Sequence, residues 1–186
     1  MSLVERLAAA GLPLLQLRAK GTSDRVRLAL AREAVAAAHR GGALLIVNDR
    51  ADVARMSGAD GVHVGQDDVA PSDVRAVMGP DAIVGFSTHD VGQLERALRE
   101  PIDYVAVGPV FATTSKSHPD PVVGLELVRA ARARTTLPLV AIGGITRANA
   151  RSVIAAGADG VAVISDVLRA ADPVAAAREL AAGLRG

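Results

Sequence analysis

The segment GADGVHVG, residues 58–65, returns as GADGVAVI at residues 157–164. In each copy a glycine stops a helix, an aspartate makes the turn, and a short apolar run begins a strand. Working outward, aliphatic runs of the same kind place strands at residues 14–17, 43–47, 61–64, 82–85, 104–107, 139–142 and 161–164. These runs are apolar on both faces, as expected of parallel strands covered by helices. Between them lie patterns rich in Ala, Leu, Arg and Glu. DRVRLALAREAVAAAHR, residues 24–40, has the helical spacing, opened by Ser23 or Asp24 and closed by Gly41. Asp172-Pro173 reads as an N-cap followed by proline in the first turn.

Regular strand–helix alternation suits either a doubly wound sheet or a TIM (β/α)8-type barrel. The strand ends favour the barrel. Polar residues follow nearly every strand: Gln16, Arg18 and Lys20; Asn48 and Asp49; Gln66 and Asp68; Ser87; Thr113, Thr114, Ser115 and Lys116; Gly143 and Gly144; Ser165. A barrel gathers all its strand C-termini on one face, whereas a doubly wound sheet uses only those near its switch point. One barrel domain over residues 1–186 is the expectation, with no linker or low-complexity tract inside it.

Composition narrows the function. The chain has no cysteine, which excludes disulfides, thiolate metal sites and thiol catalysis within it. Lys+Arg number 21 against 20 Asp+Glu, and aromatic residues make up 2%. A nucleic-acid partner is not expected, because there is neither a basic run nor a stacking surface. The start, MSLVERLAAAGLP, is charged and broken by Pro13, unlike a signal peptide. No apolar stretch reaches the ~20 residues of a membrane span, so a cytoplasmic protein without a membrane partner is expected.

Several constellations carry chemistry. Gln16, Arg18 and Lys20 fall on one side of an extended segment, since side chains alternate, and they suit a polyanion such as pyrophosphate. They equally suit a solvated loop. Asp49 and Asp68 end consecutive strands, ~4.8 Å apart in a parallel pair, and can share one hard cation such as Mg²⁺. They can also serve as helix caps or pair with Arg50. Thr113, Ser115 and Lys116 form an oxyanion-binding set at the head of a long loop, of the kind that often covers an active site. Gly143-Gly144 allows close backbone approach to an anion, and with Ile164-Ser165 it occupies the strand ends where barrels bind phosphate. His63 reads as a packed strand residue, His89 as a cap neighbour and His39 as a helix-end cation.

The ordered segments QLRAK, NDR, ADGVHVGQDD, GFSTH, DYVAVGPVFATTSK, AIGGIT and ADGVAVIS resemble the thiamine-phosphate synthase (thiamine-phosphate pyrophosphorylase) family from about Leu14 to Ser165. The resemblance implies a TIM barrel that joins 4-amino-2-methyl-5-pyrimidinylmethyl diphosphate to a thiazole phosphate, giving thiamine phosphate and pyrophosphate. It implies that Gln16, Leu17, Arg18, Ala19, Lys20, Asn48, Ser87 and Lys116 hold the pyrimidine diphosphate. Arg18, Lys20, Ser87 and Lys116 would carry catalysis, and Asp49 and Asp68 would hold Mg²⁺. Thr113, Thr114, Ser115, Gly143, Gly144, Ile164 and Ser165 would hold the thiazole phosphate. The implied mechanism is dissociative loss of pyrophosphate. That agrees with an inventory of phosphate clamps and carboxylates lacking an obvious nucleophile–base pair.

A sister branch, the thiazole tautomerases, places a histidine where this chain has Pro109. That substitution, with Asp49, Asp68 and Lys116, favours the synthase over a tautomerase or a non-catalytic phosphate-binding barrel. The family begins with a strand ahead of its first helix, whereas here residues 2–10 read directly as that helix, stopped at Gly11. Seven strands are expected where a full barrel has eight. A start assigned too late, a gap covered by another chain, or a degenerate relative would each account for this. An open strand edge would favour a homo-oligomer.

Overall fold

The computed structural model describes residues 1–113 and 120–184. They divide into two compact units, Met1–Gly85 and Phe86–Gly186. In the first unit the elements run α1 (Leu3–Ala9), β1 (Leu14–Leu17), α2 (Asp24–Arg40), β2 (Leu44–Asn48), α3 (Ala51–Ser57), β3 (Gly61–Val64) and α4 (Pro71–Met78). Strand β4 (Ile83–Thr88) straddles the boundary. The second unit continues with α5 (Val91–Ala97), β5 (Tyr104–Val107), α6 (Gly124–Arg132), β6 (Leu139–Ile142), α7 (Ala150–Ala155), β7 (Gly160–Ala162), α8 (Ser165–Leu168) and α9 (Pro173–Leu184). Seven strands are therefore present among the described residues, as the sequence predicts. Strand β7 differs: the apolar run suggests residues 161–164, but pairing ends at Ala162 and Ile164 already precedes α8. Aliphatic content alone does not mark where the ladder stops.

Pairing is parallel and consecutive within each unit. Leu14 to Leu17 match Leu44 to Val47, and Ile46 to Asn48 match Gly61 to His63. Likewise Val105 to Val107 match Leu139 to Ala141, and Val140 to Ile142 match Gly160 to Ala162. Small side chains carry the packing. In the first unit Ala8, Ala34, Val35, Ala38, Ala43 and Leu45 form a buried cluster, with Leu15 and Leu17 against it. A Cβ at Gly41 would come 2.3 Å from the Cβ of Ala8, so glycine is what lets α1 close on the end of α2. In the second unit Tyr104, the single tyrosine of the chain, is 8% exposed, and burial pushes its hydroxyl pKa up.

Helix ends follow the capping signals. Ser23 accepts from the Val26 N–H at the start of α2, and Asp172 accepts from the Val174 and Ala175 N–H groups at the start of α9. The repeated aspartate explains the sequence echo. Asp60 Oδ2 accepts from the Leu45 N–H at 2.7 Å and meets His39 Nε2 at 2.9 Å. Asp159 Oδ2 accepts from the Leu139 N–H and from Arg132 Nη1, both at 2.8 Å. Each aspartate thus ties the turn before one strand to the start of the neighbouring strand and to the end of the helix that leads into that neighbour. The two GADG copies solve the same local problem once in each unit.

Candidate active site

The alternation of β1 points Leu15 and Leu17 at the helices and leaves Gln16 exposed on the opposite face. The strand stops at Leu17, and strict alternation stops with it. The segment that follows turns, so Leu17, Ala19 and Lys20 line a cleft of about 380 Å³, while Gln16 and Arg18 do not. Gly21, Arg27, Val47, Asn48, Asp49, Arg50 and Asp68 complete its lining. The structure therefore brings together most of the predicted residues of the first unit, with Arg27 and Arg50 added.

Asp49 has φ +66°, the one non-glycine residue in the left-handed region among those described. Its N–H donates to the His63 carbonyl at 2.8 Å, and the Arg50 N–H donates to the Asn48 carbonyl at 2.9 Å. A tight three-residue turn thus holds Asp49 at the mouth of β2. Strained backbone of this kind persists where the surroundings over-determine it, often at a functional site. Lys20 Nζ stands 3.4 Å from Asp49 Oδ2.

Asp68 accepts from the Gly65 N–H at 2.8 Å, which folds the loop after β3 back on itself. Burial, and next the adjacent Asp49 carboxylate, push the Asp68 carboxyl above the ordinary range, against the Gly65 N–H and the Lys20 ammonium. Asp68 is exposed on its outer side, which limits the energy involved. Two carboxylates that repel each other, with an ammonium beside them, form a site that gains by taking up a cation. Magnesium binds through one or two carboxylates and completes its shell with water and substrate phosphate, so this donor pair fits it. Among the described residues no group of three or more acidic or histidine side chains gathers, so protein donors at this site number two carboxylates.

The sign of the Asp68 shift makes a prediction. A carboxyl whose folded pKa is raised favours the native state below its ordinary pKa of ~3.9, and loses that contribution as pH rises through the raised value. At neutral pH the ionised group therefore weighs against folding. Asp68→Asn keeps an acceptor for Gly65 and removes the charge, so the melting temperature at neutral pH should rise slightly. A fall in that temperature would contradict the assignment.

The neutral alternative for these aspartates, pairing with Arg50, is not what the structure contains. Arg50 grips Asp52 with Nε and Nη2 at 2.8 and 2.6 Å, and reaches Asp24 with Nη1 at 2.6 Å. These contacts raise the guanidinium pKa still further and hold the Asp24 and Asp52 carboxyls below their usual range.

In the second unit the predicted residues lie at or just beyond strand ends. Ser87, 8% exposed, and the fully buried Thr88 end β4, and Thr88 Oγ1 donates to the Ala106 carbonyl. His89 Nδ1 meets the Gly108 carbonyl at 2.5 Å and Nε2 lies 3.5 Å from Asp120 Oδ2, so this ring joins two loops as well as adjoining the Asp90 cap. Gly143 and Gly144 both have positive φ, +86° and +66°. The Val110 N–H donates to the Ile142 carbonyl and the Phe111 N–H to the Gly143 carbonyl, which lays residues 109–111 against the glycine pair. Thr113 is half-buried beyond this contact, Ile164 is 46% exposed, and Ser165 begins α8. Thr114, Ser115 and Lys116 lie outside the described residues.

Parallel strands followed by helices, with charged and glycine-rich turns at the strand C-termini, define an α/β protein of the TIM-barrel type. The sequence matches the thiamine monophosphate synthase family over residues 1–167. Thiamine-phosphate synthase of Koribacter versatilis is 55% identical over 164 residues, covering 88% of this chain and 77% of that protein. Thiamine-phosphate synthase of Laribacter hongkongensis is 47% identical over 97% of this chain and 85% of its own length. Among solved structures, thiamine phosphate pyrophosphorylase from Pyrococcus furiosus superposes with a TM-score of 0.89 at 33% identity, covering 98% of this chain and 87% of that one. The chain belongs to the thiamine monophosphate synthase family and is a transferase of thiamine biosynthesis. No helix among the described residues is long and apolar enough to cross a membrane.

Proposed function

We propose that the chain joins 4-amino-2-methyl-5-pyrimidinylmethyl diphosphate to a thiazole phosphate. The methylene carbon–oxygen bond breaks, pyrophosphate departs with the electron pair, and the thiazole nitrogen forms the new carbon–nitrogen bond. The observation that carries this reading is the cleft, which collects Lys20, Asn48, Asp49 and Asp68 beside two guanidinium groups. The task is electrostatic: charge that develops on a leaving diphosphate must be met by fixed cations and donors.

In this reading Lys20 neutralises diphosphate oxygens, and Asn48 and Ser87 orient the aminopyrimidine. Asp49 and Asp68 would hold Mg²⁺, which when bound supplies further positive charge to the leaving group. Leu17 and Ala19 shape the cleft wall; Gln16 and Arg18, outside that lining, and Lys116 are assigned to the diphosphate by the family resemblance alone. Thr113, Thr114, Ser115, the Gly143-Gly144 pair, Ile164 and Ser165 receive the thiazole phosphate through backbone N–H and hydroxyl donors. A cytoplasmic setting and association into a homo-oligomer belong to the same proposal.

Incubating the protein with both substrates and Mg²⁺ should yield thiamine phosphate and pyrophosphate in equal amounts, read by chromatography and a phosphate assay. Product at background level would overturn the synthase reading and leave a phosphate-binding relative without turnover.

A further inference from the structure

Arg27 carries no motif in the sequence; it stands three residues after Asp24, a spacing that puts both on one helix face. Its side chain is only 17% exposed, and it turns back toward the cleft. Nε donates to the Ala19 carbonyl at 3.2 Å, Nη2 donates to the Thr22 carbonyl at 2.9 Å, and Nη1 donates to Asp24. The Thr22 hydroxyl also donates to the Ala19 carbonyl, at 3.0 Å. The turn pinned in this way contains Lys20 and Gly21, the latter at φ +75°. Asp24 in turn accepts from Arg50, the residue that follows the strained Asp49.

We propose that Arg27 is a positioning residue for the transferase reaction: it fixes the turn at residues 19–22 so that Lys20 meets Asp49, and through Asp24 and Arg50 it ties that turn to the loop carrying Asp49. This rests on the cleft's taking a diphosphate. Only a planar fork satisfies two carbonyls and a carboxylate at once; a lysine in the same place offers a point charge without that geometry. Three of the five guanidinium N–H donors point at the chain's own turn and helix start, so Arg27 acts on a ligand through Lys20.

The test measures binding of inorganic pyrophosphate in the presence of Mg²⁺ by calorimetry, on the full chain. Arg27→Ala and Lys20→Met should each weaken binding by about tenfold, and the double variant should be within about twofold of Lys20→Met, because both remove the same interaction. Arg27→Lys should restore little. Asp24→Asn should weaken binding several-fold by cutting the bridge to Arg50, and combined with Lys20→Met it carries the same cycle if Arg27→Ala fails to fold. Additive losses, or wild-type binding in Arg27→Lys or Arg27→Ala, would overturn the positioning role while the cleft reading stands. A wild-type protein that binds no pyrophosphate would overturn the cleft reading, and the proposal with it.

Discussion

Asp49→Asn is expected to lower kcat/KM by on the order of 100-fold or more while leaving the melting temperature close to wild type. The substitution is chosen for the backbone. Asp49 sits at φ +66°, where most side chains cost ~1 kcal/mol or more and asparagine is among the best tolerated. Asn therefore keeps the turn between Asn48 and Arg50 and removes only the negative charge. What is lost is one of the two carboxylates proposed to hold Mg²⁺, and the partner of Lys20 at 3.4 Å. Asp49→Ala would mix that loss with backbone strain and is the poorer test. Steady-state rates with saturating thiazole phosphate and varied Mg²⁺ separate the possibilities. A rate near wild type at low Mg²⁺ would remove Asp49 from the site.

The second large effect is on stability. Gly144→Ala is expected to cost about 3 kcal/mol or more, a fall of roughly 10 °C in melting temperature for a chain of this size. The new Cβ would stand 2.4 Å from the Ala112 carbonyl oxygen and 2.7 Å from the Phe111 carbonyl carbon, and the residue would have to hold φ +66°. Both obstructing atoms are backbone, so no rotamer change relieves the overlap. Gly183→Ala in α9 is the control: its φ lies outside the left-handed region and nothing lies within 4 Å of its Cβ position. That change should stabilise slightly, by about 0.5–1 kcal/mol, because alanine is the better helix former. Thermal melts of the two variants side by side give the answer. Equal melting temperatures would refute the close-approach argument for the glycine pair.

The strands were the most legible part of the molecule. The runs at 14–17, 61–64, 104–107 and 139–142 have no competing pattern, and their observed limits coincide with the aliphatic limits. The end of β7 was not legible, because Val163 and Ile164 are as apolar as the strand they follow and only the loss of pairing at Ala162 marks the stop. The carboxylates were legible as a pair at consecutive strand ends. Of Gln16, Arg18 and Lys20 only Lys20 lines the cleft, since period-two alternation holds only inside a strand and the chain turns after Leu17. Arg27 carries no sequence signal, and Arg50 shows only as a possible partner of Asp49 or Asp68, for another reason. Each has an aspartate close by in sequence, and composition cannot tell a solvated ion pair from a guanidinium folded back onto loop carbonyls.

Tyr104 gives the molecule an unusual optical character. With no tryptophan and one buried tyrosine, its near-ultraviolet emission comes almost wholly from one ring at the start of β5, in the second unit. The first unit, which carries the charged cleft, has no tyrosine or tryptophan. Fluorescence therefore watches one half of the chain and is silent on the other, whereas amide circular dichroism averages both. Melting curves recorded by the two methods would superpose only if the halves come apart together.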